Sequence, residues 1–389
     1  MYYNTAIVEH SSDDRQERTI MKKSNVKTLL TLLLVTITVL SVAFALVACN
    51  DNGKFSELKG QSNRTILFIG DGMGDNHIKV TEAYMGKQLF FDDFWRPGDV
   101  TTSCSNEFQA TDSAAAASAM ATGQKYQRGE LAFKDGKNIQ SISEYAKSLG
   151  KGVGIVTTDT LSGATPAGFS AHVASRRDEN LIIESQLRGD IDLYLGAGKS
   201  AYEVYKDRFE DKGYTFCTTF SQLSVESGKV IGAFSEVVNY DSTDETPTLV
   251  QLAQFAVDYM ESKYPGGYFL MIEAAHIDKM CSNGSIDIFK MMQYLDEFDN
   301  TIKAVSAKLQ DVGSYSMIVT ADHECGDLQY NGETKEQIDN SLIKKGYHTK
   351  QNVSYYVDWK LKSAKNVSLP STIDNTDIFL MLKQLVSNK

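Results

Sequence analysis

The feature that most constrains the fold is a set of five short apolar segments, rich in β-branched residues and separated by stretches with helical periodicity. The apolar segments occupy residues 65–69, 153–158, 191–195, 268–272 and 316–320. Their apolar residues are continuous rather than alternating, which is typical of strands covered on both faces. The helical stretches between them occupy residues 113–122, 248–263 and 287–309, and another lies near the end of the chain at 376–386. This alternation predicts an α/β protein, a three-layer α/β/α sandwich with a large, mostly parallel central sheet.

The rest of the pattern indicates one folded domain over residues 64–389. No internal repeat and no obvious linker divides this stretch. Residues 200–247 have the least regular pattern, and we expect them to be an insertion or a surface subregion. The 389 residues are 42% hydrophobic and 23% charged, which is globular composition and argues against disorder.

Net charge limits the partners of the chain. At −11 the protein repels a polyanion, so nucleic-acid binding is not expected as its primary role. A small phosphorylated substrate remains compatible with this charge, because bound metal ions can reverse the local field.

The first 48 residues are predicted to be an export signal. Residues 28–48 carry no charge and are rich in Leu, Val and Ala, and three lysines stand just before them. A basic start followed by an apolar run and small residues is typical of such a signal, and Met21 is a more natural start than Met1. The alternative is an uncleaved membrane anchor, because the run is long enough to span a bilayer. Both interpretations place the remainder outside the cytoplasmic membrane.

The end of this segment, Leu46-Val47-Ala48-Cys49, resembles the bacterial lipobox, in which the cysteine becomes the lipid-modified first residue. We therefore predict that Cys49 carries a lipid that anchors the protein to the bacterial membrane. Residues 49–63 would then form a polar tether, with the folded part beginning near Arg64.

Four further cysteines follow: Cys104, Cys217, Cys281 and Cys325. An even number in an exported chain permits disulfides, but spacing alone does not pair them. No CxxC occurs, so the sequence does not indicate a zinc site made of cysteines alone.

Acids and histidines follow several of the predicted strands. Asp71 comes after the first strand, Glu273 after the fourth, and Asp322 with His323 after the fifth. In sheets of this kind ligands bind beyond the carboxyl ends of the strands, so these side chains are expected to meet. Carboxylate oxygens and imidazole nitrogens together suit zinc or magnesium.

An alanine-rich helix is predicted to begin at Ser113. Unpaired N–H groups and the helix dipole at its first turn would stabilise an anion and favour an ionised hydroxyl. The alternative is simple capping, in which Asp112 and Ser113 only start the helix.

Several spaced motifs resemble the signature blocks of alkaline phosphatases, in the order in which that family carries them. They are Asp71-Gly72-Met73-Gly74, Thr111-Asp112-Ser113-Ala114-Ala115, Ala164-Thr165-Pro166-Ala167, Ala171-His172-Val173-Ala174-Ser175-Arg176 and Thr320-Ala321-Asp322-His323. Minor matches are 191–199 and His348-Thr349. The resemblance covers nearly the whole folded part.

This resemblance implies a role for each matching residue. Ser113 would be the nucleophile that becomes phosphoserine, and Arg176 would hold two phosphate oxygens through its guanidinium. Lys279 would reach the phosphate through water. The implied metal ligands are Asp71, Asp322 and His323 for one zinc, Asp71, Thr165 and Glu273 for magnesium, and Asp278 and His348 for the other zinc.

The sequence departs from the family pattern at two positions. The family usually has a histidine where this chain has Ser282, and serine is a poor zinc ligand. Cys281 is the first candidate for a substitute ligand, with Cys325 also close to the motifs and His276 ranked lower. The alternatives are a water at the place of Ser282, or two cysteines that are buried thiols with no metal role or that pair with each other. We expect this second zinc to bind weakly or through an altered ligand set, so that turnover is slow or another metal is used.

The second departure is Gly163, where relatives commonly carry Asp or His near the magnesium. Its lack of a side chain is expected to deprive Lys279 of a partner. A free Lys279 would then contact phosphate more directly.

Together these features predict an exported, lipid-anchored phosphate monoester hydrolase that uses zinc and magnesium and acts through phosphoserine. One alternative is phosphodiester or phosphonate hydrolysis, because the scaffold does not settle the substrate. The other is a catalytically impaired phosphate- or metal-binding surface protein. Relatives are often dimers, so the resemblance is compatible with a homodimer, but the sequence itself shows no interface signature.

Overall fold

A computed structural model describes residues 54–282, 286–344, 346–361 and 367–387. The predicted export signal and Cys49 lie outside these residues. One compact unit runs from Glu57 to the end of the chain. In it Leu58 is fully buried, and the N–H of Gly60 donates to the carbonyl of Gln384 at 2.9 Å. The folded body therefore includes the last residues of the expected tether. Among the described helices none is both long and apolar enough to cross a membrane.

Twelve strands are present among the described residues. They are β1 (Arg64–Gly70), β2 (Trp95–Thr101), β3 (Phe133–Lys134), β4 (Lys137–Asn138), β5 (Gly152–Thr160), β6 (Leu193–Ala197), β7 (Tyr214–Cys217), β8 (Lys229–Phe234), β9 (Tyr268–Ala274), β10 (Tyr315–Thr320), β11 (Val353–Lys360) and β12 (Thr372–Asp374). Ten of them form one sheet in the order β12-β2-β11-β10-β1-β9-β5-β6-β8-β7. All neighbours pair in parallel except β11, which is antiparallel to both β10 and β2. The five predicted strands are the central ones.

Residues 200–247 were expected to be an insertion or a surface subregion, and that expectation is wrong for much of the stretch. It contributes β7 and β8, which extend the parallel sheet beyond β6. The core of β8 is buried from Val230 to Phe234, so this edge belongs to the main body.

The helices alternate with the strands along the chain. They are α1 (Asp75–Met85), α2 (Ser113–Thr122), α3 (Ile142–Ser148), α4 (Ala164–Ser170), α5 (Glu179–Arg188), α6 (Lys199–Glu203), α7 (Lys206–Asp211), α8 (Leu249–Lys263), α9 (His276–Lys279), α10 (Ile288–Leu309) and α11 (Asn375–Val386). Two sets of them cover the sheet. One set packs α2 against α3, α4 and α11, and the other packs α10 against α1, α8 and α9. The predicted three-layer α/β/α sandwich is confirmed.

Helix α2 is buried along its whole length. A helix that is apolar on all sides is typical of a protein core, and alanines let its neighbours approach closely. A Cβ atom at Gly168 of α4 would lie 2.9 Å from the Cβ of Ala117, so glycine is needed where the two helices cross. This packing fixes the position of the N-terminus of α2, where Ser113 lies.

The strand register brings the predicted site residues to one edge of the sheet. Ile69 of β1 pairs with Thr320 of β10 on one side and with Glu273 of β9 on the other. Glu273 in turn pairs with Thr157 of β5. Four adjacent parallel strands thus end side by side, and the residues that follow them must be neighbours.

Candidate active site

The hydroxyl of Ser113 lies among the groups that follow β1 and β10. Its Oγ is 3.3 Å and 3.5 Å from the two carboxylate oxygens of Asp71 and 3.2 Å from Nε2 of His323. The same Nε2 is 3.2 Å from Oδ2 of Asp322 and 3.6 Å from Oδ1 of Asp71. These residues come from positions as far apart as 71 and 323, and the sheet brings them within hydrogen-bonding range. We call this cluster the serine half of the site.

These spacings suit a bound cation. Zinc bonds of about 2.0–2.1 Å place tetrahedral ligand atoms about 3.3 Å apart, which is the range seen around Nε2 of His323. Asp71, Asp278 and His323 also offer one donor atom each within 4.8 Å of one another. The donor set of carboxylates and imidazole therefore fits zinc.

The electrostatics of the serine half lead to the same conclusion. Burial, followed by the charge of Asp322, places the pKa of Asp71 well above its usual range. Burial also raises the pKa of Asp322 to about 6, although the N–H of Gly72 donates to its Oδ1 at 3.0 Å and favours the charged form. Burial and the neighbouring His348 lower the pKa of His323 well below its usual value. Crowded buried acids beside a neutral imidazole are stabilised by a divalent cation.

Asp112 links the N-terminus of α2 to Arg176. Its Oδ1 accepts the N–H of Ala115 at 3.1 Å as a helix cap and the N–H of Gly129 at the same distance. Its Oδ2 lies 3.2 Å from Nη1 of Arg176, whose side chain is 36% exposed. This bond holds the guanidinium beside the serine half, where its positive charge acts to lower the pKa values of Asp71 and His323. Asp112 therefore caps the helix, and the same side chain also positions the arginine.

Asp278 and His348 meet on the other side of His323. Nε2 of His348 is 3.2 Å from Oδ1 of Asp278, and the His348 and His323 rings stack with centroids 3.6 Å apart. Burial alone would raise the pKa of Asp278, but the hydrogen bond from His348 lowers it below its usual range. Burial opposes protonation of His348, and Asp278 outweighs that, so the pKa of His348 is raised. We call this cluster the histidine half.

Ser282 lies beside Asp278. Its Oγ donates to Oδ2 of Asp278 at 2.8 Å, while Oδ1 lies 3.2 Å from Nε2 of His348. The serine thus holds the carboxylate of a candidate ligand.

The structure changes the ranking of the candidate substitutes for the missing histidine. Cys325, rather than Cys281, shares a cluster with Asp278 and His348 in which one donor atom of each lies within 4.8 Å of the others. Burial and the charge of Asp278 raise the pKa of both thiols. His276 stacks on Tyr294 with ring centroids 4.6 Å apart, and burial lowers its pKa to about 4. All four cysteines in the described part of the chain are free thiols.

Glu273 and Thr165, the residues implied for magnesium, lie together beside the serine half. The hydroxyls of Thr157 and Thr165 both favour the charged form of Glu273, and Thr157 Oγ1 donates to its Oε2. Burial, and then the charge of Asp159, nevertheless raise the pKa of Glu273 to about 8. A carboxylate and a hydroxyl of this kind suit magnesium, which prefers oxygen ligands.

The expectation that Lys279 lacks a partner is wrong. Its Nζ lies 2.5 Å from Oδ1 of Asp159, at the end of β5. A Cβ atom at Gly163 would lie 2.5 Å from Oδ2 of the same aspartate, so the absence of a side chain there makes room for it. Asp159 also donates its N–H to Thr157 Oγ1 at 2.8 Å, which connects it to the hydroxyl that binds Glu273.

Sequence reasoning missed Asp159 and Thr157 and did not assign the bond between Asp112 and Arg176. For Asp112 the capping position was a usable signal. For Asp159 no local pattern existed, because its partner lies 120 residues away along the chain.

Comparisons with known proteins identify the family that this chain resembles. The model of the family described as "Alkaline phosphatase" matches residues 62–369. Alkaline phosphatase 4 of Bacillus subtilis is 31% identical over 301 residues, which are 71% of this chain and 64% of that protein. The chain thus spans somewhat less than two thirds of that relative.

Solved structures share the fold. Alkaline phosphatase from the Antarctic bacterium TAB5 has a TM-score of 0.71 at 24% identity, covering 84% of this chain and 98% of its own. A mutant of the TAB5 enzyme was solved with magnesium bound in a site named M3. A cold-active alkaline phosphatase from a psychrophilic Shewanella has a TM-score of 0.72 at 25% identity, covering 83% and 99%.

Proposed function

This chain belongs to the alkaline phosphatase family, and we propose that it hydrolyses phosphate monoesters through a phosphoserine intermediate on Ser113. The observation that carries the proposal is the placement of the Ser113 hydroxyl 3.2–3.5 Å from Asp71 and His323, at the N-terminus of a buried helix. Membership of the alkaline phosphatase family supports a phosphatase-like enzyme on this scaffold. The monoester substrate and the intermediate are our inference.

The metals fit the residues that would hold them. Zinc suits Asp71, Asp322 and His323 in the serine half and Asp278 with His348 in the histidine half, and magnesium suits Asp71, Thr165 and Glu273. Asp278 has an oxygen in both three-residue clusters, so two cation positions would be neighbours. When bound, such cations supply positive charge that polarises the phosphate and favours loss of a proton from an attacking hydroxyl.

The reaction needs positioning more than covalent machinery. In the first step the Oγ of Ser113 forms a bond to phosphorus while the bond from phosphorus to the leaving oxygen breaks; the serine proton passes to solvent, and the leaving alkoxide takes up a proton from solvent to become the alcohol. The N–H groups at the start of α2 favour the oxyanion. In the second step the oxygen of a water forms a bond to phosphorus and the bond from phosphorus to Oγ breaks; the water loses a proton, Oγ of Ser113 regains one, and inorganic phosphate leaves.

Arg176 and Lys279 supply the fixed cationic groups. The guanidinium of Arg176, held by Asp112, can donate two parallel hydrogen bonds to phosphate oxygens. Lys279 is held by Asp159, so we propose that it acts on the phosphate through water. These groups offset the net negative charge of the protein at the point where the dianion binds.

The experiment is a comparison of substrate classes on the full chain supplied with zinc and magnesium. We expect kcat/KM for p-nitrophenyl phosphate to exceed that for the bis(p-nitrophenyl) diester and for a phosphonate ester by at least about 100-fold, because the site is built around a dianion. A preference for the diester or the phosphonate would overturn the monoester assignment. Phosphate binding with no turnover of any substrate would indicate the impaired binder.

We also propose that the enzyme is exported and anchored through a lipid on Cys49. The support is the sequence of residues 28–49, which lie outside the described residues. Mass spectrometry of the protein extracted from membranes should find a lipid on Cys49 as the first residue. A protein that keeps residues 28–48 and carries an unmodified Cys49 would contradict the lipid anchor and favour the uncleaved apolar span.

A further inference from the structure

The histidine half holds two candidate ligands of a cation, Asp278 and His348, and its third is not assigned by the family pattern. We infer that Cys325 is this third protein ligand and that the site binds its cation through one carboxylate, one imidazole and one thiolate. The inference rests on the proposed function, since it concerns the metal that this function uses.

The donor atoms have the spacing of a metal site. Single donor atoms of Asp278, Cys325 and His348 lie within 4.8 Å of one another. With zinc bonds of about 2.3 Å to sulfur and about 2.0–2.1 Å to nitrogen or oxygen, tetrahedral geometry separates such atoms by about 3.5 Å. Small side-chain rotations therefore suffice to close the cluster around a cation.

Backbone hydrogen bonds connect the segment of Cys325 to Gly72 and to the segment of His348. Its N–H donates to the carbonyl of Gly72 at 3.1 Å, and Cys325 forms an isolated antiparallel bridge with His348. The next N–H, that of Gly326, donates to the carbonyl of Tyr347 at 2.9 Å. The thiol and the imidazole are thus carried by two segments that are bonded to each other, which is the rigid support that a ligand pair needs.

Gly72 lets Asp278 and Cys325 approach from opposite sides. A Cβ atom at this position would lie 2.9 Å from the Cβ atoms of both residues. Its φ is +76°, a conformation that other residues adopt at a cost. The glycine of the Asp71-Gly72 motif therefore brings together the two side chains that we assign as ligands.

In this ligand set Ser282 has an indirect role. Its hydroxyl donates to Oδ2 of Asp278 at 2.8 Å, as an outer partner that orients a ligating carboxylate. Cys281 is fully buried next to it but belongs to neither of the three-residue donor clusters found among the described residues. The missing histidine is thus replaced by a residue 43 positions further along the chain (282 to 325).

The chemistry of the set differs from that of the serine half. Binding of a divalent cation to Cys325 releases the thiol proton to solvent and forms a metal–sulfur bond. Soft sulfur selects zinc, cobalt or cadmium over magnesium, whereas the carboxylate-rich surroundings of Glu273 favour magnesium. The two ends of the site should therefore differ in metal preference.

Cobalt spectroscopy of the full chain tests the inference directly. A cobalt–thiolate bond gives an intense charge-transfer absorption in the near ultraviolet, which carboxylate and imidazole ligands do not give. We expect this absorption in the wild type and in Cys281→Ser, the matched control with an adjacent buried thiol, and we expect it to vanish in Cys325→Ser. Zinc affinity at this site should fall at least about 100-fold in Cys325→Ser, more than the loss of an outer partner would cause.

The double variant Cys325→Ser with Ser282→His guards against a folding defect. It should regain the bound zinc of the wild type, measured by native mass spectrometry, while still lacking the charge-transfer absorption. Absorption that survives Cys325→Ser, absorption lost in Cys281→Ser, or cobalt bound by the wild type with no such absorption would overturn the inference. Thiolate absorption without phosphatase turnover would contradict the proposed function alone, and turnover without the absorption would contradict the thiolate ligand alone.

Discussion

The serine half and the histidine half of the site are built by different parts of the fold. Asp71, Asp322 and His323 follow two adjacent strands, β1 and β10, whose pairing fixes their separation. Asp278 comes from a one-turn helix, and His348 comes from a loop segment that is bonded to the segment of Cys325. The His323 side chain is fully buried, and that of His348 is 15% exposed.

This difference indicates which part of the site can change its metal ligands. Residues at the ends of paired central strands cannot move without disturbing the sheet, and the serine half keeps every group that its resemblance implies. The histidine half rests on loops, and there a ligand position can pass from residue 282 to another segment. Loops on a rigid scaffold are the usual place for such changes.

The largest effect is expected for Ser113, the nucleophile of the serine half. Ser113→Ala should lower kcat by about 10⁴-fold, because it removes the hydroxyl that lies beside Asp71 and His323, while the bound metal stays unchanged. Ser118→Ala is the matched control on the same helix. Its Oγ bonds to the carbonyl of Glu130 and the N–H of Ala132, so its loss should cost about 1–3 kcal/mol of unfolding free energy and leave kcat intact. Steady-state kinetics and thermal unfolding check both; a Ser113→Ala enzyme with normal turnover would contradict the serine half as the reacting part.

Arg176 should affect substrate binding in the serine half without altering metal binding in either half. Arg176→Ala removes two charge-assisted hydrogen bonds to phosphate, so we expect inhibition by inorganic phosphate to weaken about 100-fold. Arg177→Ala, at the exposed neighbouring position, should change it little. Inhibition assays with metal analysis check this, and equal effects of the two substitutions would show that Arg176 acts only through general charge.

Metal removal should distinguish the halves by their order of loss. Because His348 is more exposed than His323, a chelator should take the cation of the histidine half first. We expect an early phase in which phosphate release slows by about 10-fold or more while Ser113 can still be phosphorylated. Rapid-quench kinetics during chelation check this, with zinc added back as the control. Loss of both cations in one phase would remove the distinction between the halves.

A third region of the site contains the ion pair of Asp159 and Lys279. Asp159→Ala removes the partner of Lys279 and frees the space of its carboxylate, and it should lower kcat/KM by about 10-fold, as expected for an outer-shell group. Adding Gly163→Asp should restore much of the loss, because the new side chain would enter the space that Asp159 fills in the wild type. Asp258→Asn, which breaks the exposed ion pair with Lys308, is the control. A double variant worse than Asp159→Ala would contradict the idea that the two positions share one space.

The smallest expected effect is the pH dependence of magnesium affinity at the residues implied for that metal. Burial and Asp159 raise the pKa of Glu273 to about 8, and magnesium binds the deprotonated carboxylate. Magnesium affinity should therefore rise as pH increases from about 7 to 9, and the midpoint should move to lower pH in Asp159→Asn. Magnesium titrations at several pH values measure the midpoint. A midpoint that is the same in both proteins would show that Asp159 does not act on Glu273.

The sequence predicted the central sheet well and its edges poorly. Residues 65–69 and 316–320 fall inside β1 and β10, because strands buried on both faces are continuous in apolar character. Strand β2 was missed, since it contains Pro97 and is mostly half-buried rather than apolar and buried. Strand β7 was missed because it has four residues and lies at the sheet edge, and β8 was missed because Gly232 interrupts its apolar run.

The same limit applies to the site. Residues directly after strands, such as Asp71 and His323, could be placed from the chain order alone. The choice between Cys281 and Cys325 could not, because it depends on how Gly72 lets Asp278 and Cys325 approach. Such a contact between distant segments has no signature in a single sequence.

The central claim, that the site passes a phosphoryl group to Ser113, is tested most directly by trapping the intermediate. The full chain with zinc and magnesium is mixed with ³²P-labelled monoester, quenched in acid and digested, and the labelled peptide is identified by mass spectrometry. We predict the label on the peptide that contains Ser113 and no label in Ser113→Ala. Turnover of the monoester with no labelled serine, or with the label on another residue, would contradict the account.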